Sequence, residues 1–491
     1  MWKPLIWNIL LGTITKYDKL LICTFLLTLP LCNPWVRGDG VGYYAYARSL
    51  LIEHRLNFEQ DWEHGNDTFR SGRLDSDGHI LADQFTKTGR IGNIWTIGPS
   101  ILWLPFLLVT NAGVLVCNHF GAHIPADGFS TPYLLAMAGS TAIYGFLAVW
   151  ISFRLAREYF REHWAFLATL GIWWASSLPV YMYFNPSWSH AHSAFVVALF
   201  VWYWHRTRGE RTVGQWVLLG LVSGLMVDVY YPNGLLLLIP LMEAITCYWK
   251  VWNKAEDRAE LIPRLLARHT VYVAVWVFAL LPTLISRYII FGSALQTGYM
   301  PAATWNWKSP RLWEVLFSSD HGLLYWTPIL ILALGGLLLF SHADRFLASS
   351  LIAVAISFYL VIAFYPDWDG ISSFGNRFFV SLTALFVLGL AAAFTSLGRL
   401  WRAHGAVVAS TVTTLLILWN LGLVFQWGTH LIPARGPVSW THMAHNQFFV
   451  VPQRAAAELK SYFGNRSGLM RQIEQQDVSQ VSAQEQTRKQ K

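Results

Sequence analysis

The chain has 491 residues, 54% hydrophobic and only 13% charged, where soluble proteins carry about a quarter. That balance excludes a soluble globular protein and predicts an all-α polytopic membrane protein. The formal charge of +8 does not imply nucleic acid, because lysine and arginine in such a chain mark cytoplasmic loops.

The first apolar run, Leu20 to Val36, follows Lys16 and Lys19 and has no small-x-small cleavage site. It reads as an uncleaved first helix rather than a signal peptide. Directly after it comes Arg37-Gly38-Asp39-Gly40-Val41-Gly42-Tyr43-Tyr44. A carboxylate where a hydrophobic helix leaves the bilayer needs water or a cationic partner, which makes Asp39 a candidate functional residue. Its glycines permit unusual backbone angles, and Tyr43, Tyr44 and Tyr46 suit a lipid–water boundary.

Residues 37–93 form a long polar loop. Within it Asp75-Ser76-Asp77 has the spacing of metal ligands but sits in a Gly-flanked turn. The run Ile94 to Cys117 is apolar but interrupted by Gly98-Pro99 and Pro105, with a polar stretch beyond. It is predicted to be an interfacial or re-entrant helix that returns to the side it left, with a twelfth span as the alternative.

Windows of roughly 20 apolar residues mark about eleven spans: 20–36, 131–153, 164–184, 189–206, 214–231, 232–249, 269–290, 323–341, 346–364, 377–397 and 405–427. Their connections place Arg154, Arg157, Arg161, Arg206, Arg208, Arg211, Lys250 to Arg268, Arg399 and Arg402 on one side with the N-terminus. The positive-inside bias makes that side cytoplasmic and the C-terminus external. The opposite face collects the polar, Gly- and aromatic-rich segments: 37–93, 118–130, 185–190, 291–322 and 365–376. Residues 1–430 are predicted to form the membrane domain, with 37–130 as its first extracytoplasmic loop. The polar tail 431–491 is expected to be partly disordered, without a packed core. Cys23, Cys32, Cys117 and Cys247 lack metal spacing and read as small apolar residues. No internal repeat is visible, which weakens a transporter built from duplicated halves.

This arrangement resembles the GT-C superfamily of membrane glycosyltransferases, such as protein O-mannosyltransferases and aminoarabinose transferases. The resemblance rests on Asp39 opening a long outer loop after the first helix, and on a Tyr-rich helix following it. Ile97-Gly98-Pro99 closes that loop, and Trp326-Thr327-Pro328 and Phe374-Gly375-Asn376-Arg377 come late in the chain. It covers roughly residues 15–430. One departure is that protein O-mannosyltransferases carry adjacent Asp-Glu where this chain has Asp39-Gly40. The Asp-x-Asp of metal-dependent oligosaccharyltransferases has no clear match in this loop, so a divalent metal remains an open expectation.

The resemblance implies a sugar donor on a polyprenyl phosphate, an acceptor that is a lipid, glycan or protein, and no nucleic-acid partner. Such transfer needs a base for the acceptor proton, cations for the leaving phosphate and an apolar groove for the lipid. Asp39 is the predicted base, or else a salt-bridge partner of Arg37 or Arg48. Arg377 and Arg287 are predicted phosphate ligands, since the planar guanidinium suits phosphate, or else charges snorkelling to the interface. Lys308 is a further candidate, and His190 a donor to phosphate or sugar or else a satisfied boundary histidine. Tyr43, Tyr44, Asp228, Tyr231, Asp367, Trp368 and Asp369 are candidates for sugar or acceptor binding, against solvated turns and buried structural roles. Asp228 stands out because it lies inside a span. The rival class is a transporter or lipid-linked-glycan flippase. The short loops fit a bacterial inner membrane, with the chemistry on its extracytoplasmic face.

Overall fold

A computed structural model of the chain describes residues 13–489. The long elements, in order, are α1 (Lys16–Thr28), α2 (Asp39–Arg48), α3 (Gly98–His119), α4 (Thr131–Ala156), α5 (Glu162–Trp174), α6 (His190–Thr207), α7 (Val213–Val229), α8 (Leu238–Lys254), α9 (Arg258–Ala279) and α10 (Leu281–Phe291). They continue with α11 (Ile329–Phe340), α12 (Arg345–Phe364), α13 (Thr383–Leu400), α14 (Gly405–Gly428), α15 (Val451–Gly464) and α16 (Arg466–Lys489). Among the described residues there is no strand, only the isolated bridges Leu74 to Ile80 and Phe85 to Ile91.

Seven of the described helices are long and apolar enough to cross a membrane. They are α3, α4, α9, α12 and α14, together with α8 and α13 extended by their 3-10 lead-ins at Tyr231 and Arg377. The protein is an integral membrane protein. Other expected spans come out shorter or broken, and proline is the recurring cause, since it removes a backbone donor and disfavours helix in the residue before it. The first run ends at Thr28 with a 3-10 turn over Leu29–Leu31, where Pro30 and Pro34 stop it short of Val36. The predicted 164–184 helix stops at Trp174 ahead of Pro179 and resumes as a π turn, Val180–Phe184. The predicted 269–290 span is two helices, α9 and α10, with Pro282 near the start of the second.

A buried carboxylate fixes one end of the bundle. Asp18, in the first turn of α1, accepts from Trp150 Nε1 at 2.8 Å and from Arg157 Nη1 at 2.9 Å. The two helix ends therefore share one face, the arginine-rich one. The opposite face carries the loops and is called the loop face below.

Helix α3 runs antiparallel to α4. Tyr133 Oη donates to Asn111 at 2.5 Å, Trp103 Nε1 to Thr141 at 2.8 Å, and Tyr144 Oη to the Leu102 carbonyl at 3.0 Å. This register sets Gly98 level with the middle of the 26-residue α4. The helix thus starts level with the middle of α4 and runs toward the loop face.

The first loop has its own aromatic core. Tyr46, Phe58, Trp62, Phe69 and Trp95 pack ring against ring at 5.1 to 6.3 Å. Arg48, fully buried at the end of α2, meets both oxygens of Asp61 at 2.7 Å. Such bidentate geometry is the strong form of the interaction. Asp39 therefore stands on a rigid base.

The tail departs from its expectation. Residues 451–489 fold as α15 and α16 and dock on the loop face. Glu474 accepts from Asn66 Nδ2, Thr68 N and Thr68 Oγ1, each at 2.8 Å. Arg466 donates to the Cys32 and Pro30 carbonyls at 2.6 and 2.9 Å. Polar partners from distant loops help to hold the tail, and no local sequence pattern announces them.

Candidate active site

Gly38 has φ +52°, a left-handed conformation that glycine adopts without strain. It turns the chain so that α2 begins at Asp39. Position 40 then packs against the 185–190 turn, where an added Cβ would lie 1.9 Å from Ser187 Oγ. A side chain at position 40 would therefore displace Ser187.

The other half of the site comes from residues 365–377. Asn376 Nδ2 donates to the Trp368 carbonyl at 3.0 Å, and Ser373 Oγ donates to the Asp369 and Gly375 carbonyls at 3.1 and 2.8 Å. These bonds tie the turn into a fixed shape and deliver Arg377 to Asp39. Arg377 Nη2 stands 2.8 Å from Asp39 Oδ2. Its guanidinium carbon also lies 4.3 Å from the Trp188 ring centre, a cation–π contact. The Asp39 side chain stays 31% exposed while that of Arg377 is 10% exposed, so the carboxylate faces open space. The buried Arg377 Nε has no hydrogen-bond partner among the described residues, an unusual state for a buried donor.

The pair forms part of the wall of a cavity of about 700 Å³. Arg73, which carries no sequence signal, lines the same cavity. Its Nη1 donates to the Phe69 carbonyl at 2.7 Å, and its guanidinium carbon lies 4.3 Å from the Phe69 ring centre. Burial pulls the Arg73 guanidinium below its ordinary range, and the Asp39 charge acts against that pull. Away from this cationic end the lining is mainly apolar and aromatic, with Leu418, Leu421 and Phe425 of α14 and Leu459 of α15.

The remaining candidates fall in different places. Tyr43 is buried below Asp39, where burial pushes its phenol up and the Asp39 charge adds to it. His190 is buried behind Arg377 with its ring 4.7 Å from Tyr181, and it does not line the cavity. Gly370, between Asp369 and Ile371, reaches the cavity. Asp367, Trp368 and Asp369 belong to the turn that sets Arg377, two of them through their backbone carbonyls. Asp320, missed in the sequence, lies close by: burial pushes it up to about 6, with the Asp369 charge adding.

Arg287, Tyr231, Asp228, Tyr44 and Lys308 are not brought to the pair. Arg287 donates to the Asn93, Ile94 and Trp95 carbonyls at 2.5, 3.0 and 2.7 Å and to Tyr231 Oη at 2.9 Å. It clamps the backbone that leads into α3 instead of facing the cavity. Asp228 is 1% exposed, with its backbone against Gly98. Tyr44 Oη donates to the Gly128 carbonyl at 2.7 Å. Lys308 lies in an exposed turn outside the cavity lining.

The residues at Asp39 do not fit a divalent metal. Among the described residues Asp39 belongs to no group of three His, Cys, Asp or Glu side chains close enough to share an ion. Asp75, Asp77 and His79 do cluster, but on an exposed turn where Asp75 Oδ1 accepts from the Asp77 and His79 backbone at 2.9 and 2.8 Å.

No protein-family profile matches the chain, and no curated protein does. Solved structures do. The chain is similar to the oligosaccharyltransferase AglB from Archaeoglobus fulgidus, in complex with an inhibitory peptide and a dolichol-phosphate. The match has TM-score 0.50 at 14% identity, over 90% of this chain and 57% of that one. It is also similar to ArnT from Cupriavidus metallidurans bound to undecaprenyl phosphate, with TM-score 0.43 at 12% identity, over 84% of this chain and 72% of that one. The likeness to AglB is one of fold, and the chain spans little more than half of AglB's length.

Proposed function

We propose that the protein is a membrane glycosyltransferase that moves a sugar from a polyprenyl-phosphate carrier to an acceptor hydroxyl or amine. The observation that carries this reading is the Asp39–Arg377 pair at 2.8 Å, set at the cationic end of a mainly apolar cavity. A lipid phosphate is complementary to that combination of walls. The dolichol-phosphate present in the AglB complex supports the same ligand class.

The geometry supports the following steps. The carrier's phosphate enters against Arg377 and Arg73. Arg377 has an unused Nε, so its fork can turn from the carboxylate toward phosphate oxygens. That move frees Asp39 to accept the proton of the acceptor. The acceptor oxygen or nitrogen then bonds to the anomeric carbon while the bond from that carbon to the phosphate oxygen breaks. Electrons leave with the lipid phosphate, whose charge the two arginines stabilise. One displacement of this kind inverts the anomeric configuration. The basic connections and the loop-rich site favour an extracytoplasmic site with the N-terminus inside, in a bacterial inner membrane.

The test is label transfer by the purified protein in proteoliposomes, using a panel of polyprenyl-phosphate sugars. Transfer from at least one donor is expected. Lipid translocation without transfer from any donor would replace the enzyme with a flippase. A second expectation is that Arg377→Met weakens carrier-phosphate binding by about 10- to 100-fold, as loss of a charge-assisted hydrogen bond does, in a lipid-binding titration.

A further inference from the structure

Helix α16 belongs to the same cavity. Leu469, Met470 and Ile473 line it together with Asp39 and Arg377, and their spacing puts them on one face of the helix. The same face continues one turn on into Asp477, which also lines the cavity, and it is fastened there by charge. Asp477 pairs with Arg37, two residues before Asp39, and accepts from His430 Nε2 at 2.8 Å. Glu474 takes its three bonds from Asn66 and Thr68. Polar clasps at Glu474 and Asp477 thus hold α16 in place, with Leu469, Met470 and Ile473 bordering the open space beside the Asp39–Arg377 pair.

We propose that α16 is a wall of the donor site and that Leu469, Met470 and Ile473 contact the isoprenoid units nearest the phosphate. The proposal rests on the reading of the cavity as a lipid-phosphate site. Its occupant follows from charge and surface: Arg377 and Arg73 line the cavity beside Asp39, Arg37 is paired with Asp477, and most of the remaining wall is apolar side chains of α14, α15 and α16. A lipid without phosphate leaves both arginines unused, and a free phosphate leaves the apolar walls unused. The helix therefore selects for a carrier that has both parts.

The experiment measures binding of farnesyl phosphate, undecaprenyl phosphate and undecaprenol to the full chain in nanodiscs. Three variants are compared: Ile473→Asp, Leu469→Trp, and Gln475→Asp on the exposed face of the same helix. Ile473→Asp sets a charge against the chain, and Leu469→Trp keeps the face apolar while narrowing the space. Each is expected to weaken both phosphates by about tenfold or more through lost apolar contact, with Gln475→Asp unchanged. Protection of α16 from protease in the Leu469→Trp variant separates a narrowed wall from an undocked helix. Wild-type affinity retained in both cavity-facing variants would overturn the wall. Equal binding of undecaprenol and undecaprenyl phosphate by wild type would overturn the phosphate-carrier reading itself.

Discussion

An arginine stacked on Trp188 and paired with a half-open carboxylate is a poor choice for stability alone, since a buried ion pair contributes little net energy. It is a good choice for holding charge ready. The same chemistry explains why Asp39 and Arg377 were legible in the sequence: each is an ionised group at the end of an apolar run. That signal is neither necessary nor sufficient. Arg287 shows it equally and spends its donors on three backbone carbonyls. Arg73 lacks it altogether, because it sits in a polar loop whose fold only the aromatic core determines. The role of position 40 makes a prediction at this scale. Gly40→Ala is expected to lose about 1–3 kcal/mol of stability through overpacking against Ser187. Ser187→Gly in the same chain should recover much of that loss, which a thermal-unfolding double-mutant cycle reads directly. Additive losses in that cycle would show that the two residues do not compete for space.

At the scale of elements, the segment 93–95 joins the first loop to α3, and Arg287 of α10 holds it. Arg287→Met removes the Arg287 donor from the Ile94 and Trp95 carbonyls, each at a cost of about 1–3 kcal/mol, while the Asn93 carbonyl keeps Tyr46 Oη at 3.3 Å. A marked fall in the unfolding transition is expected, with carrier affinity of the folded fraction unchanged. The reverse pattern would return Arg287 to phosphate binding. Helix breaks were only partly legible. The prolines at 30, 34, 179 and 282 were visible, but hydropathy windows average over them and merged short helices into full spans. The tail was illegible for another reason. Glu474 and Asp477 find partners in Asn66, Thr68, Arg37 and His430, and no local pattern announces contacts with such distant residues.

The whole molecule is asymmetric: basic connections gather on one face, and the cavity, the aromatic loop and the docked tail belong to the other. This division was legible because charge bias survives errors in the number of spans. Its orientation is testable in a chain whose four cysteines are replaced. A membrane-impermeant maleimide should label Ser76→Cys in intact cells and Arg402→Cys only after permeabilisation. The opposite result would place the site in the cytoplasm.

The most direct test is the rate of sugar transfer by Asp39→Asn beside its affinity for the lipid-phosphate carrier. A general base contributes about 10²–10⁴-fold, so transfer should fall by that factor while carrier binding and protein level stay as in wild type. Transfer near the wild-type rate in Asp39→Asn would contradict the assignment and return the search for the base to Asp320, Asp367 and Asp369.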